Sequence, residues 1–586
     1  MTLRFEYHSH TTYFLKCIQS IADATATPIA YSIDFPNIFV DFNENVDEFT
    51  KALDQYLYNS IFFKNIQIYE ESPSSQGSIA HIPSSIALCP NCIKEMLDPS
   101  SRRFYYPFTS CNSCGYQSSL LIHYPFERPN TLLNFFKPCN ECQEELKTNP
   151  FRKNYPLNTC IECNIPIKLT DKKGLKVLFA NEKEEFKQIF DIAANALKDG
   201  KRVRIKTFRG YKRFYLEKDN KSYLLINRLN EEFLVLPMEK RALFSIERPQ
   251  MYLTTSSGEI VEAVGVWDGF TTLLMASLDA DYCYFDEKED ADLFIDFDLP
   301  ITFYEAPKYF INKHFCFFRP GSESLFPKYC DSSKTALLGS FLLHNGIIDK
   351  VEHFKEVETD SITVFQEEPI EHSSIKVQDL ARAVFESVLK EHGITEPTVG
   401  VYFSDRVKFF YKKQTIKEIF DFGEIKFEAK RKVVEQFQKR FPERYEAFEK
   451  ENDFILKAAR VIGFDGDFDA FNKLSLSFGG KGGVSIDCRV EENGFDYSSF
   501  YASIMSFVLA DADSKLIAYS IFESLGDFLS NQAVSIYRET KASHIVLCGA
   551  FIANSAFFSR FTRNAPMTKV NIEYPIDNES ALLGVQ

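Results

Sequence analysis

Hydrophobic and polar positions in the first seventy or so residues follow two periods in a definite order. Leu3, Phe5 and Tyr7 take turns with Arg4, Glu6 and His8, as on a half-buried strand. Phe14, Cys17, Ile18 and Ile21 then recur at helical spacing, and Ile29, Tyr31, Ile33 and Phe35 return to period two. Pro36-Asn37 predicts a turn, and Ile38, Val40 and Phe42 another strand. Asn45 stands where a side chain can cap the next helix, which carries Phe49, Leu53 and Leu57, with Glu48 placed to complete a capping box. Ile66 and Ile68 close the series. The order βαββαβ predicts a split-βαβ sandwich. Much later, Ala518, Ile521, Phe522, Leu525, Phe528, Leu529, Ala533 and Ile536 predict one core-facing helix. Residues 405–460, rich in Lys, Glu and Phe at helical spacing, are expected to form helices with solvated charged faces.

A chain of 586 residues accommodates three or four such units, each able to bury its own core. With 58 Phe and 28 Tyr against one Trp, those cores are built of phenyl rings. The formal charge of −15, with no Lys/Arg block anywhere, argues against general nucleic-acid binding. No stretch approaches the ~20 apolar residues of a membrane-spanning helix, and the start, MTLRFEYHSH, lacks the apolar core of an export signal. The expected location is therefore the cytoplasm, where the 14 cysteines are reduced thiols or metal ligands.

Eight of them have a pattern. Beyond the loose stretch Glu71–Ser78, Cys89-x2-Cys92 and Cys111-x2-Cys114 stand eighteen residues apart, and Cys139-x2-Cys142 and Cys160-x2-Cys163 seventeen. A two-residue spacer turns both sulfurs of a knuckle toward one ion, so each set can give four thiolates to a tetrahedral Zn²⁺. Glu95 matches Glu145, Arg103 matches Arg152 and Pro107 matches Pro156, so one unit occurs twice. Four sulfurs leave no open position for water or substrate, which makes both zincs structural. Disulfide and iron–sulfur readings rank below zinc. Arg102, Arg103 and Arg128 lie nearby, but the surrounding acids dilute them and favour a structural role over nucleic-acid contact.

The run Cys89-Pro-Asn-Cys92, Glu95-Met96, Asp98-Pro99, Arg102-Arg103, Tyr106-Pro107-Phe108, Cys111, Cys114-Gly115 and Tyr124-Pro125-Phe126-Glu127-Arg128-Pro129-Asn130-Thr131 resembles the zinc-finger segment of the HypF family. That family comprises the carbamoyltransferases that begin cyanide-ligand synthesis for nickel–iron hydrogenases. The resemblance implies a multidomain α/β chain with an acylphosphatase-like domain at 1–72, a double zinc-finger segment at 85–168, a YrdC-like α/β domain at 172–325 and a Kae1-like domain of the actin/Hsp70 ATPase type at 330–586. It implies two structural Zn²⁺ and, as candidate nucleotide, ATP. The partners it implies are a HypE-like maturation protein or a nickel–iron hydrogenase subunit, with no nucleic acid and no membrane span.

This chain departs from the family at the places that would do chemistry. The loop after the first strand, His8-Ser9-His10-Thr11-Thr12, has neither the Gly nor the Arg of a phosphate cradle, and its histidines read as exposed polar residues. Where the family has a Lys-Gly-Leu-Gly-Gly turn, this sequence has Lys206-Thr-Phe-Arg209-Gly210, so the glycines that let backbone amides reach phosphate are reduced to Gly210. Lys206 and Arg209 are the remaining cationic candidates, with a solvated strand-end lysine the ordinary reading of Lys206. The stretch resumes at Arg241-Ala-Leu-Phe-Ser245-Ile-Glu247-Arg248-Pro249. Near the end, Ile545–Phe551 with Gly549 and Asn554 resembles the family's strand and Ser-Gly-Gly turn. Pro575–Ala581 resembles its Pro-x-Asn-Asp-Gly-Gly loop, with Asn578 at the acidic ligand position and Asp577 beside it as a replacement by register shift. The family's histidine ligand motif has no counterpart, since His344, His353, His372, His392 and His544 include no HxxxH pair. A neutral amide in place of a carboxylate, without imidazoles, leaves a divalent ion little to bind.

Gly479–Gly483 lacks the Ser/Thr and the glycine spacing of a Walker loop and reads as a helix-to-strand connection. Cys548 reads as a buried thiol, and Asp331 through Phe341 as a strand and turn opening the last domain. The expectation is a HypF-derived accessory factor, most like the HydE-type branch of the family, acting by protein binding without carbamoyl transfer. The alternative is an active ATP-dependent carbamoyltransferase that uses carbamoyl phosphate to modify a cysteine of a HypE-like partner.

Overall fold

A computed structural model of the protein describes residues 1–7, 13–34, 37–69, 83–122, 126–218, 222–304, 308–312, 315–319, 355–359, 363–366, 373–375, 379–428, 431–491 and 494–571. The chain is a multidomain α/β protein that divides into two compact units. One comprises residues 1–253, 261–308 and 320–375, the other 254–260, 309–319 and 376–586.

In the first unit, β1 (Thr2–Tyr7), α1 (Tyr13–Ala24), β2 (Ile29–Asp34), β3 (Asn37–Phe42), α2 (Val46–Tyr56) and β4 (Phe63–Tyr69) follow the order that the periodicities predict. The sheet runs β2-β3-β1-β4, with β1 antiparallel to both neighbours, so Leu3 lies between Val40 and Ile68 and Phe5 between Ile38 and Ile66. Phe5, Phe14, Phe42 and Phe49 are fully buried beneath the helices, and Tyr7 stacks on Phe14 at 4.4 Å. One local expectation fails. Asn45 makes no side-chain cap, because its left-handed backbone (φ 52°) turns the amide away from the first helical turn. Its Nδ2 donates instead to the Thr25 and Ala26 carbonyls at 3.2 and 3.1 Å, clipping the end of α1, while Asp47 and Glu48 face the positive helix end.

The finger segment follows, and beyond it lies a ten-stranded mixed sheet. Tyr223–Ile226 runs parallel to Ile260–Gly265, and Val203–Thr207 parallel to Leu293–Asp296. The helices Lys183–Lys198 and Gly269–Leu278 bury Phe186, Ile189, Phe190, Phe270 and Leu274. Glu247 ties this part to the amino-terminal sandwich: its buried carboxylate accepts from Tyr13 Oη (2.8 Å), Ser60 Oγ (2.6 Å) and the Ile61 amide (3.1 Å).

The second unit carries a five-stranded sheet in the order Ile416–Asp421, Val407–Lys412, Thr398–Phe403, His544–Cys548, Thr568–Lys569, parallel across its last three strands. Alternation sorts its residues. Tyr402, Phe410, Val546 and Cys548 face the helix Leu380–Glu391, whereas Val401, Phe403, Ile545 and Leu547 join the larger core that includes Leu525, Leu529 and Phe557. The expected core-facing helix is Ser514–Thr540. The helical reading of 405–460 holds only from 432 onward. Residues 407–412 and 416–421 form two antiparallel strands, because Val407 and Phe409 point into the core at period two while the intervening lysines do not.

Candidate metal centre

Each finger begins with a short helix whose first turn holds one knuckle: Pro90–Leu97 follows Cys89, and Asn140–Thr148 follows Cys139. The second knuckle of each sits on a turn, and the four sulfurs of a finger converge to within 4.8 Å of one another. In the first, Cys89–Cys111, Cys111–Cys114 and Cys92–Cys114 are 3.8, 3.5 and 3.6 Å apart. In the second, Cys139–Cys160, Cys160–Cys163 and Cys142–Cys163 are 3.7, 3.9 and 3.6 Å apart.

A tetrahedron with Zn–S bonds of ~2.3 Å has edges of ~3.8 Å, so zinc fits both quartets. Disulfides do not, since they need sulfurs at ~2.05 Å. Hydrogen bonds from Cys114, Cys89 and Cys92 pull Cys111 well below the usual thiol range, while its bond back raises Cys89 and Cys92 well above it. Four buried sulfurs sharing one negative charge are what a divalent cation would relieve. The first quartet is wholly buried, whereas Cys139 and Cys163 of the second are partly exposed. The second has a further feature: Arg102 donates from Nη2 to Cys142 Sγ at 2.6 Å and also pairs with Glu141. Phe151 occupies the matching position of the repeat.

The repeated residues meet across the two fingers. Arg103, 1% exposed, donates to Glu145 Oε2 (2.5 Å) and Glu95 Oε1 (2.8 Å), and Arg152 pairs with Glu95. Arg103 Nε donates to the Thr159 carbonyl (2.8 Å) and Arg152 Nε to the equivalent Ser110 carbonyl (3.2 Å). The phenols follow suit: Tyr106 Oη lies 3.3 Å from Thr159 Oγ1, and Tyr155 Oη 2.7 Å from Ser110 Oγ. So do two amides, Asn112 donating to the Phe151 carbonyl (3.0 Å) and Ile161 to that of Arg102 (3.4 Å). The fingers are thus joined about a pseudo-twofold axis in which each copy completes the other. Burial works against the Glu145 carboxylate, yet Arg103 and Arg152 hold it down at about 2. The Glu and Arg repeats are visible in sequence, but spacing does not say which copy each arginine meets.

Of the residues singled out as nucleotide candidates, four are described, and the fold engages each. Lys206 is not solvated: its ammonium is buried, lies over the Phe297 ring at 4.5 Å, and donates to the Phe297 and Leu299 carbonyls at 2.9 and 2.8 Å. Arg209 Nε donates to Tyr116 Oη (2.6 Å) and its Nη atoms to the Arg248 and Glu247 carbonyls (2.9 and 3.2 Å). Gly210 supplies a positive φ of 92° at the hairpin between Val203–Thr207 and Gly210–Tyr215. At Gly549 (φ 106°) a Cβ would stand 2.4 Å from the Phe403 carbonyl oxygen, so a side chain is excluded there. Asp577 and Asn578, the loop 8–12, and 331–341 lie outside the described residues. Cys548 is buried, and burial pushes its thiol above the usual range.

The HypF finger family matches residues 88–121. A probable carbamoyltransferase HypF of Methanocaldococcus jannaschii is 34% identical over 68 residues, which are 12% of this chain and 9% of that relative. The crystal structure of Thermococcus-type T. kodakarensis HypF matches 100% of this chain and 97% of its own, at 13% identity and a TM-score of 0.68. This is a HypF-family protein. The segment aligned in sequence with the curated HypF relative spans only about a tenth of that relative's length, so the likeness to HypF beyond the fingers is one of fold. Protein HydE of Wolinella succinogenes is 24% identical over 136 residues, covering 21% of this chain and 25% of its own. Among the described residues of this HypF-family chain no helix is long and apolar enough to cross a membrane.

Proposed function

We propose that the chain is a HypF-derived accessory factor of nickel–iron hydrogenase maturation that acts by binding a protein client, without carbamoyl transfer. Its plan is that of the family: an acylphosphatase-like domain at 1–72, the double finger at 85–168, a YrdC-like domain at 172–325 and a Kae1-like domain at 330–586. Two zincs hold the finger segment closed and do no chemistry. The client is a HypE-like maturation protein or a hydrogenase subunit, met in the cytoplasm.

The observation that carries this reading is the state of Lys206 and Arg209. A phosphate-binding cation must present its charge to a ligand, and both of these spend theirs on the chain's own carbonyls. The sequence adds a first loop without Gly or Arg, and an amide where the family has a carboxylate ligand. Keeping a fold while its reactive groups turn inward fits a scaffold that binds.

Size-exclusion chromatography of the purified full chain tests the reading, with purified hydrogenase large subunit in one arm and a purified HypE-like protein in the other. Co-elution with either is expected. Independent elution from both would remove the proposal.

A further inference from the structure

The second unit contains a cleft of about 790 Å³ that none of the residues discussed so far lines. Its mouth is formed by the turn after Thr398–Phe403 and by the chain that follows Ile416–Asp421. Its far wall is the end of the helix Pro442–Lys450 and the start of Phe454–Val461. Volume of this order holds a small organic ligand or an extended side chain with its flanking backbone.

The lining has two components. Phe422, Phe448, Phe454 and Tyr497 are buried beneath it, and Phe427 is half-buried at its side, giving an aromatic floor. Above them stand Asp405, Asp421, Glu424, Glu449 and Glu451, against Arg406 and Lys457. Two of these charges are already used. Glu451 pairs with Arg460 at 3.0 Å, and the Lys457 ammonium donates to the Phe448 and Glu451 carbonyls at 2.5 and 2.8 Å. Four carboxylates therefore face one guanidinium. A polyphosphate would be repelled from such a cleft, whereas a cation would gain from both the carboxylates and the ring faces. The cleft wall already holds one cation in this manner: Lys457 Nζ lies over the Phe448 ring at 4.3 Å, with carbonyls as its other partners.

We infer that this cleft binds an organic cation, a guanidinium or primary ammonium on a slender chain, seated on the aromatic floor with its charge toward Asp405 and Glu424. The ligand chemistry has two sources, a basic side chain of a peptide and a free polyamine. The inference goes beyond the proposed role in maturation and stands on the lining alone, so the chromatography above can fail without touching it.

Calorimetric titration of the full chain with acetyl-Arg-Gly-Arg-amide, with spermidine and with ATP tests it. Either cation is expected to bind, with an affinity that falls as salt rises, and the stronger of the two names the source. In the double variant Asp405→Asn/Glu424→Gln, both at exposed positions, that affinity should drop at least fivefold while the thermal unfolding midpoint stays unchanged. Phe427→Leu should weaken it independently of salt. No heat with either cation, an affinity indifferent to the double variant, or ATP binding that the double variant strengthens and the cations displace would overturn the inference.

Discussion

Arg103 is almost wholly buried between two carboxylates from different fingers, so removing it strands both. Arg103→Met should lower the stability of the finger segment by about 3 kcal/mol, the usual cost of breaking a buried pair from one side. Urea unfolding with a Glu145→Gln double-mutant cycle measures the shared part. Glu145 also sets a pH dependence. Its folded value of about 2 lies below the ordinary 4.5, so its contribution is fully present above about pH 4.5 and is lost as pH falls toward 2. Stability followed across that window should lose this contribution in Glu145→Gln. Lys206 separates a structural from a phosphate-binding role. Lys206→Met leaves two buried carbonyls short of a donor and should cost about 1–3 kcal/mol, with no change in ATP affinity. Weaker ATP binding with unchanged stability would give the residue back to a nucleotide site. At this scale the cysteines were legible, because a two-residue spacer has a single geometric use. The fate of Lys206 was not, since the carbonyls that hold it lie some ninety residues away in sequence.

The two fingers share a plan yet differ in exposure and in Arg102, and the difference should appear in metal release. A chelator with a colorimetric zinc indicator should draw out two equivalents in two phases, the faster from Cys139, Cys142, Cys160 and Cys163, whose rim reaches solvent. Arg102→Gln removes the positive charge beside Cys142 and should speed only that phase. Release in one phase at equal rates would mean that the cross-finger bonds, and not local exposure, control the metal. At the scale of elements the amphipathic periods predicted the amino-terminal sandwich and the long helix well. They failed at 405–421, where Lys and Phe at short intervals suit a hairpin and a helix equally, and pairing with Thr398–Phe403 decides for the hairpin. Asn45 shows the same limit for caps: the residue type was right for a helix start, but its backbone angle sends the side chain elsewhere.

Across the whole molecule the fold of HypF persists at an identity of 13%, concentrated where sequence matters most for closure, in the fingers. Aromatic packing maintains the rest, as in the second unit, where Phe422 stacks on Phe495 at 4.2 Å and Phe468 on Phe551 at 4.1 Å. Such contacts preserve shape through many substitutions, which is why the fold outlives the alignment. The central claim is that the scaffold has kept its form and given up carbamoyl transfer. The most direct test is to incubate the zinc-loaded full chain with carbamoyl phosphate and ATP and to measure pyrophosphate and AMP. Release at the level of a protein-free control is the predicted result; sustained turnover above that level would contradict it.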